Sequence, residues 1–217
     1  MFPPLYAVID LDLLPASPEV FAEHLAGAGI ELIQYRAKHS TAREYFDVCK
    51  KLVAQLSGQD VRLIVNDRPD IAAIVGAGGV HVGQEDLPPD DARRICGPGP
   101  WVGVSTHNLE QFRAANLTSA NYIAVGPIFC TSTKEKPDPV VGTEFIREAR
   151  KLSRKPIVAI GGITLERAAE VYEAGADSIA VARDLLRAPD PGARAKEFLA
   201  VADRALRHPG AKFGASG

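Results

Sequence analysis

Eight short, largely apolar runs alternate with eight helix-like stretches along this chain, and this alternation limits the possible folds more than any other feature. The runs fall at residues 5–9, 30–35, 61–65, 79–82, 101–104, 122–125, 157–160 and 178–181. Apolar runs of this length read as strands buried on both faces, the pattern of a parallel sheet covered by helices. Residues 18–28, 41–56, 69–75, 88–95, 109–115, 144–152, 165–174 and 193–206 read as the intervening helices. Ser17 followed by Pro18 marks a helix start, an N-cap followed by a proline at the first helical position. Ser40 or Thr41 starts the second helix, and Gly76, Gly78 and Gly79 follow the third. Eight strand–helix units in 217 residues is the count that an α/β, single-domain (β/α)8 TIM barrel with a parallel eight-stranded core requires. The alternative is an open doubly wound sheet. Against it, the first run leads into Asp10-Leu11-Asp12-Leu13-Leu14-Pro15 rather than a glycine-rich turn. No linker or shift of composition divides the chain. The barrel is expected over residues 1–206, with a small, polar, Gly-rich tail at 207–217 that frays.

Bulk properties exclude several classes of function. Twenty-five basic against 27 acidic residues leave a net charge of −2, which gives no reason to expect nucleic acid or an anionic membrane as partner. No run approaches the roughly 20 apolar residues of a membrane span. The first ten residues carry no basic region, and Asp10 and Asp12 interrupt any apolar stretch. The expectation is a soluble, cytoplasmic protein acting on small molecules, with homo-oligomerisation left open. Cys49, Cys96 and Cys130 are odd in number and far apart, so they read neither as a disulfide framework nor as a zinc site. Cys130, beside Thr131, could act as a nucleophile, but a small buried residue at a strand end is the favoured reading.

In a barrel of this kind the C-terminal strand ends build the active site. Six of the runs end in groups suited to phosphate, metal or a reactive cation. They lead into Gln34-Tyr35-Arg36-Ala37-Lys38, Asn66-Asp67, Gly83-Gln84-Glu85-Asp86, Ser105-Thr106-His107, Thr131-Ser132-Thr133-Lys134 and Gly161-Gly162. Asp67 and Asp86 end consecutive strands, and two neighbouring carboxylates suit a hard ion such as Mg2+. Glu85 competes as ligand, and Asp67 could instead N-cap the helix near Pro69. Arg36, Lys38 and Lys134 supply cations that, with the metal, would hold a diphosphate and stabilise it as it departs. Gln34, Asn66 and Ser105 add neutral hydrogen-bonding groups; His107 reads as a helix N-terminal residue rather than a base. Gly161-Gly162 before Thr164 lets backbone N–H groups approach an anion, with Ala182-Arg183 as the other wall. The longest loop, 131–142, reads as a functional segment. A diphosphate on one side and a monophosphate on the other imply two substrates and a transfer between them.

These motifs resemble the thiamine-phosphate synthase (thiamine-phosphate pyrophosphorylase) family. They are QYRAK at 34–38, ND at 66–67, GVHVGQEDLP at 79–88, GVSTH at 103–107, VGPIFCTSTK at 125–134, AIGGIT at 159–164 and AGAD at 174–177. The resemblance implies a TIM barrel that joins a hydroxymethylpyrimidine diphosphate to a hydroxyethylthiazole phosphate. It implies a dissociative reaction in which diphosphate leaves and the thiazole nitrogen captures a pyrimidine methylene cation. Carried over, Gln34, Tyr35, Arg36, Ala37, Lys38, Asn66, Ser105 and Lys134 would bind the pyrimidine diphosphate, with Arg36, Lys38, Ser105 and Lys134 assisting its departure. Asp67 and Asp86 would hold one Mg2+ per subunit. Thr131, Ser132, Thr133, Gly162, Ala182 and Arg183 would contact the thiazole phosphate. Two residues depart from the family pattern: Tyr35 stands where Leu is common, and Arg183 where a small residue, often Ser, follows the eighth strand. A thiazole tautomerase is the nearest alternative, but it needs no diphosphate grip. A precursor-sensing module would be expected to lose the metal pair. A Schiff-base aldolase would need a desolvated lysine, which Lys134 among hydroxyls is not.

Overall fold

The computed structural model describes residues 2–131 and 138–207. Eight strands close into a parallel barrel in sequence order. They are β1 (Leu5–Asp10), β2 (Leu32–Arg36), β3 (Arg62–Asn66), β4 (Gly79–Val82), β5 (Trp101–Thr106), β6 (Tyr122–Val125), β7 (Ile157–Ile160) and β8 (Ser178–Val181). β1 pairs with β2 on one edge and with β8 on the other, so no edge is left open. The helices are α1 (Pro18–Gly27), α2 (Ala42–Leu56), α3 (Pro69–Val75), α4 (Pro89–Cys96), α5 (Leu109–Asn116), α6 (Gly142–Leu152), α7 (Leu165–Glu173), α8 (Arg183–Leu186) and α9 (Pro191–Arg207). The barrel expected from the strand count is therefore the fold observed, and the open sheet is excluded.

Differences from the expected elements have local causes. β1 runs on to Asp10 because Asp10 pairs with Arg36 across the β1–β2 ladder. α2 starts after Thr41 rather than Ser40: the Thr41 hydroxyl accepts from Glu44 N–H, and Glu44 Oε2 accepts from Thr41 N–H, a reciprocal capping box. The last unit contains two helices, because the short α8 turns directly off β8 before α9 closes the ring. The frayed tail expected at 207–217 lies, beyond Arg207, outside the described residues.

Two apolar layers hold the molecule together. The outer one lies between strands and helices, where Phe112 of α5 and Phe198 of α9 are completely buried. Full burial contributes about 2–3 kcal/mol for a phenylalanine. An exposed helical ion pair such as Arg43–Asp47 contributes only about 0.3–0.5 kcal/mol. The apolar helix faces therefore dominate the docking. The inner layer fills the barrel with Tyr6, Val8, Leu32, Ile64, Tyr122, Ala124, Val158 and Ala180. Two glycines allow close packing here, Gly79 against the Trp101 backbone and Gly103 against the Tyr122 ring. A methyl group at Gly79 would lie 2.4 Å from the Trp101 carbonyl oxygen, and one at Gly103 would lie 2.0 Å from Tyr122 Cζ. Gly103→Ala is expected to cost at least about 2 kcal/mol by overpacking this layer. Urea denaturation checks this, and an unchanged midpoint would refute it.

Candidate active site

A cleft of about 530 Å3 opens at the C-terminal ends of the strands. Its floor is the top of the barrel interior: Tyr6, Val8, Gln34, His81, Ala124, Val158 and Ala180 all line it. Strand periodicity decides this membership, since alternate residues point inward. Gln34, Arg36, Asn66 and Ser105 all line the cleft. The ring of Tyr35 turns the other way, stacked on Tyr45 of α2 with centroids 5.1 Å apart. Its side chain is thus packing between barrel and helix and does not line the cleft. Tyr45 also ties two strand ends together, donating to the Tyr35 carbonyl at 2.8 Å and accepting from Asn66 N–H at 3.0 Å.

A chain of hydrogen bonds crosses the cleft floor. Gln34 Nε2 donates to the Tyr6 hydroxyl at 2.7 Å, and the Tyr6 and Tyr122 hydroxyls are 2.9 Å apart. Tyr122 Oη lies 3.1 Å from His81 Nδ1, and His81 Nε2 lies 2.8 Å from Ser105 Oγ. Burial holds both tyrosine hydroxyls well above the usual phenol range, so they stay protonated. Tyr6, His81 and Tyr122 escape a reading based on strand ends because they lie within strands. The signal for them is a polar residue at an inward position of an otherwise apolar run.

Arg36 is held by Asp10, another residue not singled out from the sequence. Arg36 donates to Asp10 Oδ2 at 2.6 Å, and Asp10 is buried at the end of β1. Burial raises the Asp10 carboxyl, and the charge of Arg36 opposes that rise. Lys38 lies further out and pairs with Asp67. Asp67 adopts left-handed backbone geometry with φ 61°, and its N–H donates to the His81 carbonyl at 2.7 Å. Such a conformation costs on the order of 1 kcal/mol outside glycine, and this hydrogen bond helps to hold it. Arg68 rather than Asp67 occupies the N-cap of α3, so capping does not explain Asp67. Asp86 accepts from Gly83 N–H at 2.7 Å. Its carboxyl is raised above the ordinary range, first by burial and then by contact with the Asp67 carboxylate. Two carboxylates pressed together, with hard oxygen donors only, fit a Mg2+ that keeps most of its water. Among the described residues no group of three or more His, Cys, Asp or Glu gathers to hold a metal ion, so the protein would supply only this pair.

Glycine backbone forms part of the opposite side of the cleft. Gly161 and Gly162 have φ 101° and 63°. Side chains there would also collide with the preceding loop, at 2.5 Å from Pro127 and 2.4 Å from the Cys130 carbonyl oxygen. Both glycines line the cleft with Thr131, Ala182 and Arg183. Asp184 joins the two walls, accepting from Leu165 N–H at the start of α7 at 2.9 Å. Arg167 stacks over Phe129 at 4.7 Å and donates to the Gly162 carbonyl at 3.1 Å. Ser132, Thr133 and Lys134 lie outside the described residues. Cys130 is exposed and lines the cleft, which corrects the expectation of a buried strand-end residue. Its loop leaves the barrel after β6 ends at Val125. His107 also lines the cleft, with Nδ1 2.6 Å from the Gly126 carbonyl oxygen and Nε2 3.4 Å from Asp138 Oδ2. Both ring nitrogens thus join elements of the rim.

A parallel barrel with a cationic, carboxylate-flanked half and a glycine-walled half describes an enzyme that handles two phosphorylated substrates. Residues 5–185 match the family model of thiamine monophosphate synthase. The chain is 48% identical over 204 residues to a thiamine-phosphate synthase of Koribacter versatilis, covering 92% of this chain and 95% of the relative. It is 39% identical over 203 residues to one from Shouchella clausii, covering 93% and 97%. The solved thiamine phosphate pyrophosphorylase of Pyrococcus furiosus superposes with a TM-score of 0.85 at 31% identity, covering 94% and 96% of the two chains. The chain belongs to the thiamine-phosphate synthase family.

Removing Asp10 would leave the mostly buried Arg36 guanidinium without its carboxylate. Asp10→Ala is expected to cost up to about 3 kcal/mol, because one member of a mostly buried pair loses its partner. Thermal and urea unfolding read this, and a loss below about 0.5 kcal/mol, the level of an exposed pair, would refute it.

Proposed function

We infer that this chain condenses a hydroxymethylpyrimidine diphosphate with a hydroxyethylthiazole phosphate, or its carboxylated form, to give thiamine phosphate and diphosphate. One observation carries the reading: a cleft in a chain of this family joins an Arg- and carboxylate-flanked half to a glycine-walled half. The cationic half suits the pyrimidine diphosphate, and the glycine half suits the thiazole phosphate. A thiazole tautomerase has no support in these relationships, since the relatives described are synthases. The substrates are charged and small, and no described helix is long and apolar enough to cross a membrane. We place the reaction in the cytoplasm.

The chemistry we propose is dissociative. Arg36, braced by Asp10, presents its guanidinium to phosphate oxygens where negative charge grows as the C–O bond breaks. Ser105 adds a neutral hydrogen bond there, Lys38 is a cation further out, and Lys134 would supply another. A positioned donor of this kind is worth roughly 10²–10³ in rate when charge develops against it. Asp67 and Asp86 would hold a Mg2+, which when bound neutralises diphosphate charge. The apolar cleft-floor residues Ala124 and Val158, with Ile160 beside them, limit water around a reactive pyrimidine cation. Backbone N–H groups around Gly162 and Ala182-Arg183, with Thr131 to Thr133, would hold the thiazole phosphate so that its ring nitrogen meets that cation.

Incubation with both precursors and Mg2+ is expected to yield thiamine phosphate and diphosphate in equal amounts, read by chromatography. Isomerised thiazole phosphate without condensation would overturn the reading. Asp67→Ala and Lys134→Ala are each expected to lower turnover at least about 10²-fold while melting remains cooperative. Near-wild-type turnover in either variant would remove that residue from the mechanism.

The metal reading makes a separate prediction about stability. Burial and the Asp67 carboxylate raise the Asp86 carboxyl, so in the metal-free protein this group holds more protons folded than unfolded across that window. Its contribution to stability should therefore fall as pH rises from the ordinary carboxylate range through the raised value, a slope read as the difference between wild type and Asp86→Asn. Mg2+ should raise the melting temperature above that window and lose its effect as pH falls through it. Asp67→Asn combined with Asp86→Asn should abolish the Mg2+ shift at every pH. An equal shift in the double variant would place the ion elsewhere.

A further inference from the structure

We propose that Tyr122 and His81 are positioning residues that fix the Ser105 hydroxyl as a hydrogen-bond donor into the cleft. The proposal deepens the proposed function, since it rests on the cleft being where diphosphate departs. The argument is one of hydrogen-bond direction. An amide nitrogen can only donate, so Gln34 Nε2 makes the Tyr6 oxygen an acceptor at 2.7 Å. Tyr6 has one proton, and its other neighbour is the Tyr122 oxygen at 2.9 Å, so Tyr6 donates there. Tyr122, accepting from Tyr6, sends its own proton to His81 Nδ1 at 3.1 Å. His81 is therefore unprotonated at Nδ1 and carries its proton on Nε2, which donates to Ser105 Oγ at 2.8 Å. Ser105 Oγ, with that acceptance made, keeps its own proton for a ligand.

Reversing the Gln34 amide would reverse every link. Its oxygen would then accept from Tyr6, His81 would carry a proton on Nδ1, and Ser105 would donate to His81. That arrangement would turn only lone pairs of Ser105 toward an anion. The direction that follows from the Gln34 amide as placed instead makes Ser105 a partner of Arg36, two donors in a cleft that receives negative charge. Burial enforces the relay: Tyr6 is 1% exposed and Tyr122 fully buried, so neither hydroxyl has bulk water as an alternative partner. Gly103 contributes from beneath by leaving the space that the Tyr122 ring fills.

The first test needs no substrate. Long-range 1H–15N correlation of the 15N-histidine-labelled full-length protein at neutral pH, with His81→Gln to assign the signals, is expected to show the Nε2–H tautomer. A proton on Nδ1 would overturn the proposal, whatever the protein catalyses. The second test uses turnover. Tyr122→Phe is expected to lower kcat about tenfold, the lower end of the effect of orienting partners on the groups they orient, with KM within about twofold. In a Ser105→Ala background the same substitution is expected to change kcat no further, because it acts through Ser105. A tenfold loss that persists in the Ser105→Ala background would refute the relay. Failure to make thiamine phosphate at all would sink the functional reading and leave the tautomer result standing on its own.

Discussion

The pairing of β1 with β8 closes the sheet, and every later property of the molecule follows from that closure. Leu5, Tyr6 and Ala7 lie opposite Ile179, Ala180 and Val181. Because all eight pairings are parallel, eight C-terminal strand ends must share one rim. Residues separated by over a hundred positions thereby become neighbours, as Tyr6 and Tyr122 do. The same closure sets an interior of limited width, in which a large ring on one strand demands a glycine on the next. Gly103 beside Tyr122 meets that demand.

The interior is not uniformly apolar, and the exceptions follow a physical rule. A buried polar group left without a partner costs roughly 1–3 kcal/mol. Gln34, Tyr6, Tyr122, His81 and Ser105 avoid that cost by satisfying one another in line. Asp10 and Arg36 do so as an ion pair. Ser178 Oγ, at the start of β8, is the one buried side-chain polar atom among the described residues without a partner, and nothing in the structure explains it. Apart from Tyr122, the first residue of β6, these partnered groups line the cleft, where they hold binding groups in place.

The two halves of the cleft use different means because they meet different demands. In the proposed reaction, charge changes on the diphosphate side, where side-chain cations, a carboxylate pair and the Ser105 hydroxyl would answer that change. The thiazole phosphate would stay bound and unchanged on the other side. There Gly161, Gly162 and the Asp184 bridge bring the loops together, and Arg183, Arg187 and Arg194 line the same cleft.

The eight-fold alternation, the helix start at Ser17-Pro18 and the acidic pair at Asp67 and Asp86 were all legible in the sequence, because periodicity, capping and strand-end position are local properties. Tyr35 shows where local reading stops. It sits inside a binding motif, yet alternation along β2 turns its ring outward onto Tyr45. Cys130 looked like a strand-end residue, but β6 stops at Val125 and leaves it exposed on a loop. Asp10, His81 and Tyr122 gained their roles only from partners on other strands. The sequence by itself determined which elements form and which ends are polar. Only the closed barrel decided which side chains face inward together, because inter-strand register and distance are set by packing across the whole ring.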